Sequence, residues 1–186
     1  MTPVHVRLAV FGVDRLLPDA DRPLLGPMAS ALRRLQERGV ELAFAGARHG
    51  AALALLAGRV GVRAHRISCH GALVEHRDGR RLQRRRFRLG SSLAGALVHY
   101  VEAGGAVHLY DQDERWHAFG NAAAIEREER AVGLRARTRS PAPVAAELAG
   151  QIALKIACEG DNPALPYLHE LAASRGDLAF LDDGFR

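Results

Sequence analysis

Apolar residues crowd the stretch Val4–Phe11, the pattern of a strand buried in a sheet. Past a loop holding Pro18 and Pro23, Met28, Leu32 and Leu35 recur at helical spacing after Gly26 and Pro27, and Gly39 stands where such a helix stops. Val40–Ala45 predicts a second strand, Ala51–Ala57 a second helix ending near Gly58, and Ala64–Cys69 a third strand. This alternation of strand and helix is that of a parallel sheet with crossover helices.

The pattern then changes. Ala72–Glu75, a turn at Arg77-Asp78-Gly79 and a basic strand returning to Phe87 read as a β-hairpin, since Asp-Gly supplies tight-turn chemistry. Ser91 or Ser92 then caps a helix through Val101 that ends at Gly104. Strands at Val107–Tyr110 and Trp116–Phe119 flank a turn at Asp111–Glu114, and Asn121 caps a further helix in which Glu126 and Arg130 form an i,i+4 pair. Leu134–Thr138, a loop with Pro141 and Pro143, a strand over Ile152–Cys158, a helix over Pro163–Ala173 and a last strand near Leu178–Leu181 follow. The expected division is a parallel α/β unit over residues 1–86 and an α+β unit over 87–186.

Composition narrows the class. With 186 residues, 48% of them hydrophobic and 25% charged, the chain is long and apolar enough to build a core, which excludes whole-chain disorder. Two cysteines, Cys69 and Cys158, make no disulfide framework and have no zinc-site spacing, so they read as reduced thiols of a cytoplasmic protein. No apolar run approaches the roughly 20 residues that span a bilayer, and the amino terminus has no cleavable-signal pattern. The net charge of +5 points to anionic partners, but Lys155 is the only lysine among 26 basic residues, a bias that reads as GC-rich coding as much as nucleic-acid binding. Arg77, Arg80, Arg81, Arg84, Arg85, Arg86 and Arg88 suit phosphate-backbone contacts, yet no aromatic interleaving accompanies them, and a solvated hairpin carries the same run.

Ligands of an open parallel sheet sit beyond the carboxyl ends of its strands, where helix N-termini and loop amides point. Three segments fall there: Phe11-Gly12-Val13-Asp14-Arg15-Leu16, Phe44-Ala45-Gly46-Ala47-Arg48-His49 and Ser68-Cys69-His70-Gly71-Ala72. In order and spacing they resemble the DxDGTL, ATGR and NGA loops of the haloacid dehalogenase (HAD) superfamily. Leu154-Lys155-Ile156 and Gly160-Asp161 resemble a segment of the cap that its Cof-type sugar-phosphate phosphatases insert after those loops. The resemblance runs over nearly the whole chain. It implies a Rossmannoid α/β core with an α+β cap, Mg2+ as cofactor, and phosphoryl transfer from small phosphorylated metabolites through an aspartyl phosphate.

Every motif is altered. Gly12 stands where the family has its nucleophilic, metal-binding aspartate, and glycine has no side chain to attack phosphorus or hold a cation. Asp14 matches the second, acid/base aspartate, while its own residue chemistry favours a loop or cap residue. Arg15 and Leu16 replace the glycine and threonine that follow, and Gly46 replaces a phosphate-binding threonine or serine. Arg48 matches the arginine of its motif; His70 takes the asparagine position before a matching Gly71, and these three are the candidate anion-binding residues. His70 also invites a metal or nucleophile role beside Cys69, for which buried packing is the competing reading. The chain stops at Arg186, before the family's lysine and acidic metal-binding loop.

The expectation is a truncated, phosphatase-like fold that is catalytically inactive or strongly impaired, with Mg2+ binding in doubt and a homodimer covering the sheet edge that truncation bares. The alternatives are an active Mg2+-dependent phosphatase with a rearranged or intersubunit site, and an anion- or nucleic-acid-binding arginine hairpin.

Overall fold

A computed structural model describes residues 5–14, 26–160, 162–176 and 178. The chain divides into two compact units, one of Met1–Arg85 with Glu128–Arg135, the other of Arg86–Arg127 with Ala136–Arg186.

The first unit opens with β1 (Leu8–Gly12), α1 (Gly26–Glu37), β2 (Glu41–Ala45), α2 (Gly50–Val60) and β3 (Ala64–Ser68), the predicted alternation. β1, β2 and β3 are parallel neighbours, and β4 (Leu73–Glu75) and β5 (Arg81–Arg84) extend the sheet antiparallel in the order β1-β2-β3-β4-β5. Ala9 and Phe11 lie opposite Leu42 and Phe44, and this face packs with Leu32, Leu53, Ala57 and Val60 of the two helices. The α2 helix runs past the predicted stop at Gly58; Gly61, at φ 75°, ends it by donating its N–H to the Ala57 and Gly58 carbonyls, a left-handed cap that a side chain would strain. Among the described residues β1 is an edge strand. Val6, Leu8 and Val10, which alternate with its core-facing residues, are 60%, 51% and 55% exposed.

The basic strand expected to return to Phe87 ends at Arg84. Phe87–Arg88 is a separate strand, β6, and belongs to the sheet of the second unit. That sheet has the order β6-β10-β7-β8-β9, with β7 Ala106–Asp111, β8 Trp116–Gly120, β9 Thr138–Ser140 and β10 Ile152–Glu159. Between them lie α3 (Ser91–Glu102), α4 (Ala122–Val132), the single turn α5 (Ala145–Leu148), which the sequence pattern does not predict, and α6 (Leu165–Ala173). Val107, Leu109 and Phe119 pack with Leu93, Leu97, Tyr100, Leu148 and Leu168. Ala106, Tyr110, Trp116 and Ala118, on the alternate positions, pack with Ala124 and Ile125 of α4.

Several local expectations change. Gly90, not Ser91 or Ser92, is the N-cap of α3, and no side chain caps it. Asn121 does cap α4, accepting the Ala123 and Ala124 N–H groups at 3.0 and 3.2 Å. Glu126 reaches Arg139 of β9 at 3.3 Å rather than Arg130, because a cross-element partner lies within reach of its oxygen. Lys155 lies on β10 opposite Tyr110, with its ammonium 6.0 Å from that ring's centroid. The expected last strand at Leu178–Leu181, apart from Leu178, lies outside the described residues. Among the described residues no helix is long and apolar enough to cross a membrane.

Candidate functional site

The three loops that leave β1, β2 and β3 are tied by backbone hydrogen bonds. The Val13 N–H donates to the Ala45 carbonyl at 2.9 Å, Gly46 to Ile67 at 2.9 Å, Cys69 to Arg48 at 2.9 Å and His70 to Gly46 at 3.1 Å. Parallel strands deliver their carboxyl ends side by side, so the first amide of each of the first two loops meets a carbonyl at the end of the next strand. Gly12, Asp14, Gly46, Arg48, His70 and Gly71 are thereby brought to one edge of the first sheet.

Within this edge Asp14 is committed. Its Oδ2 accepts the Ala47 N–H at 2.6 Å, a short, charge-assisted bond, and its Oδ1 lies 3.9 Å from Arg48 Nε. Gly46 makes this possible: a Cβ there would stand 2.7 and 2.8 Å from the two Asp14 oxygens and 2.9 Å from Val13 Cγ2. A serine or threonine at position 46 and this Asp14 conformation exclude one another. At Gly12 the reverse holds, since a Cβ would meet nothing within 4 Å. That position lacks a carboxylate but has room for a Cβ.

His70 and Gly71 sit on a strained turn. Cys69 and His70 adopt φ of 49° and 54°, and Gly71 of 86°, three successive left-handed residues closed by the Ala72 N–H on the Cys69 carbonyl at 3.0 Å. For a residue with a Cβ this region costs roughly 1–2 kcal/mol, which the loop-to-loop bonds of Cys69 and His70 offset. The turn leaves the His70 residue exposed and Cys69 buried at 4%. Burial leaves the Cys69 thiol out of any external chemistry and agrees with its packing role.

Magnesium demands near-octahedral oxygen coordination, normally with one or more carboxylates. Here Gly12 offers no side chain, both Asp14 oxygens face nitrogen donors, and the described residues hold no group of three acidic, histidine or cysteine side chains suited to a metal. The described donor set does not fit the ion that the resemblance implies, and Asp161 lies outside the described residues.

The second unit holds two polar clusters that the sequence reading passed over. Buried His108 accepts the Trp116 indole N–H on Nδ1 at 3.3 Å, which in the neutral ring puts its own proton on Nε2, 3.6 Å from Glu159 Oε2. Arg127 grips Glu159 Oε1 with two nitrogens at 3.1 and 2.6 Å. The His108 imidazole, followed by Arg127, holds the Glu159 carboxyl below its ordinary range against the opposing effect of burial. Asp111 accepts the Asp113 and Arg115 N–H groups on Oδ1 and faces His117 Nε2 at 3.3 Å, while His117 Nδ1 lies 3.1 Å from the Thr138 hydroxyl. Apart from the local turn bonds of Asp111, these side chains meet through strand register and the packing of α4, so spacing along the chain carries no sign of them. The Cys158 thiol is pushed up to about 12 by burial, which keeps it protonated.

No protein-family model matches the chain, and no curated protein does. Solved structures do. A haloacid dehalogenase-like hydrolase from Bacteroides thetaiotaomicron superposes with a TM-score of 0.68 at 16% identity, over 96% of this chain and 68% of its own. A HAD/COF-like hydrolase from Plasmodium vivax gives 0.69 at 12%, over 90% and 62%. A subclass IIB sugar phosphatase of the HAD superfamily gives 0.67 at 11%, over 89% and 63%. This chain spans about two thirds of the length of each, and at such identities the likeness is one of fold. Three parallel strands with helical crossovers, an antiparallel extension and a second α+β sheet together make the fold of the haloacid dehalogenase-like hydrolases.

Proposed function

We propose that this chain is a HAD phosphatase-like protein of Cof type that does not transfer phosphoryl groups. Glycine at position 12 carries the reading. An aspartyl phosphate needs a carboxylate at the end of β1, and phosphoryl transfer is otherwise positioning and charge neutralisation. Asp14, the carboxylate among the described residues of that loop, accepts the Ala47 N–H and faces Arg48, so it is engaged with the chain's own donors. What the edge retains toward a small phosphorylated ligand is the Arg48 guanidinium, beside the Ala47 amide that Asp14 now holds. The test is a screen of p-nitrophenyl phosphate and sugar phosphates with Mg2+, using the wild type and Gly12→Asp. The wild type is expected to show no turnover above buffer. Turnover abolished by EDTA would overturn the reading and favour a rearranged site. The open space at Gly12 makes Gly12→Asp a clean partner, expected to fold with unchanged stability.

For the partner we propose a second copy, joined along β1. An antiparallel pairing centred on Leu8 sets Val6 against the partner's Val10 and Val10 against the partner's Val6, one continuous apolar stripe. In the same register Arg7 falls opposite the partner's Ala9, so no arginines oppose one another. Light scattering is expected to report a dimer for the wild type and a monomer for Leu8→Asp. A wild-type monomer at tens of micromolar sinks this assignment.

A further inference from the structure

The Asp14 carboxylate takes the geometry of a bound anion. It lies over a glycine, accepts a backbone N–H at 2.6 Å from the residue after that glycine, and keeps its second oxygen 3.9 Å from a guanidinium. Its side chain is 30% exposed and that of Arg48 17%, so the contact is partly shielded from water and a charge-assisted bond retains strength there.

Two neighbouring features bear on this. Gly46 is the one residue type that admits the carboxylate, because any Cβ would fall within 3 Å of both oxygens. The Gly46 amide and carbonyl are themselves bonded, to the Ile67 carbonyl and from the His70 N–H, so the backbone beneath the carboxylate cannot swing aside. Asp14 and Gly46 therefore act as a pair, with the carboxylate filling the space that the glycine leaves.

We propose that Asp14 is an internal plug: its carboxylate holds the Ala47 amide in place of an external oxyanion, and a phosphate dianion is admitted only when that carboxylate is withdrawn. The proposal deepens the reading that this edge is a non-catalytic anion site, and it rests on that reading. It makes Asp14 a negative determinant of ligand binding, the opposite sign from a residue that serves the ligand. Removing it is expected to improve binding.

The plug also separates occupancy from charge. Asp14→Asn removes the charge but keeps an oxygen able to accept the Ala47 N–H, so the seat stays filled. Asp14→Ala empties it. If charge repulsion alone excluded phosphate, the two variants would gain equally; under the plug, alanine gains more.

The experiment is titration of the full chain with inorganic phosphate, followed by calorimetry and by the Ala47 amide resonance in 15N–1H spectra, with chloride of equal ionic strength as control. Asp14→Ala is expected to bind about tenfold more tightly than wild type, a difference a single charge-assisted bond commonly makes, with Asp14→Asn between them. Should Asp14→Ala melt early, Asp14→Ser serves instead, because its hydroxyl is too short to fill the seat. An independent readout is a double-mutant cycle by thermal melting: Gly46→Ala is expected to be less destabilising in the Asp14→Ala background than in the wild type. Wild-type binding as tight as that of Asp14→Ala, equal gains for alanine and asparagine, or an additive cycle would each overturn the plug. A wild type that hydrolyses phosphate esters would instead strike at the non-catalytic reading, so the two failures are distinguishable.

Discussion

The sheet of the second unit carries buried clusters on both faces, whereas the sheet of the first has its helices packed against one face and bares alternate residues of β1 on the other. Leu109 and Tyr110 are neighbours on β7, point opposite ways and are 0% and 3% exposed. Phe11 and Val10 are neighbours on β1, and while Phe11 packs edge-on against Phe44, Val10 is 55% exposed. A strand's apolar alternation thus says which residues share a face, and the layers around it decide which face loses water. Two truncations measure how far the faces differ. Leu109→Ala is expected to cost about 2–5 kcal/mol through the cavity it leaves, and Val10→Ala about 0.5 kcal/mol or less in a monomeric background such as Leu8→Asp. Urea midpoints measure both. Equal losses would mean that the β1 face is covered in solution.

Glycines sharpen the same contrast. A Cβ on Gly105 would run into the Tyr100 ring, which is fully buried and fixed by its hydroxyl donating to the Gly160 carbonyl at 3.0 Å. Gly105→Ala is expected to destabilise by about 1–3 kcal/mol, as overpacking does. Gly12→Ala, in open space, is expected to be neutral or to stabilise by up to about 1 kcal/mol by restricting the unfolded chain. Thermal melts of the two variants under one buffer decide the matter.

The second unit also carries a carboxylate that couples its stability to acid. Glu159 has a carboxyl below its ordinary value of 4.5 in the fold, so it contributes stability that is present above 4.5 and lost as pH falls through the lower folded value. Because its side chain is a third exposed, solvent screening holds the effect to about 1 kcal/mol. Melting temperatures between pH 7 and pH 3 are expected to fall less steeply for Glu159→Gln than for wild type over the acid end. Identical slopes would remove Glu159 from the account.

Most of the fold is legible along the chain because it rests on local periodicity. Met28, Leu32 and Leu35 mark α1, and the Gly39 stop is confirmed by its φ of 81°. Where the reading slipped, a longer-range partner decided. The chain leaves the first sheet after Arg84 because Phe87 and Arg88 pair with Ala153 and Ile152, more than sixty residues on. The candidate site divides in the same way. The loss at Gly12 is plain from residue type, but the closeness of Asp14 to Gly46 depends on how β1 and β2 align their carboxyl ends, which no spacing between positions 14 and 46 reveals.

The smallest effect is expected at the opposite border of the first sheet. β5 is an edge strand like β1, but it presents Arg81, Leu82, Gln83 and Arg84, all exposed, and follows a turn set by Asp78 accepting the Arg80 N–H at 2.9 Å. Charged side chains on an unpaired strand discourage further pairing, because a copy added there would bring arginine against arginine out of water. Where β1 invites a second strand, β5 repels one. Converting Arg81 and Arg84 to glutamine is expected to change unfolding stability by no more than about 0.5 kcal/mol, since both positions are solvated. It is also expected to raise the tendency to associate beyond the dimer, read as a concentration-dependent increase in scattering at low ionic strength. A variant that stays as dispersed as wild type would show that arginine charge is not what keeps this edge unpaired.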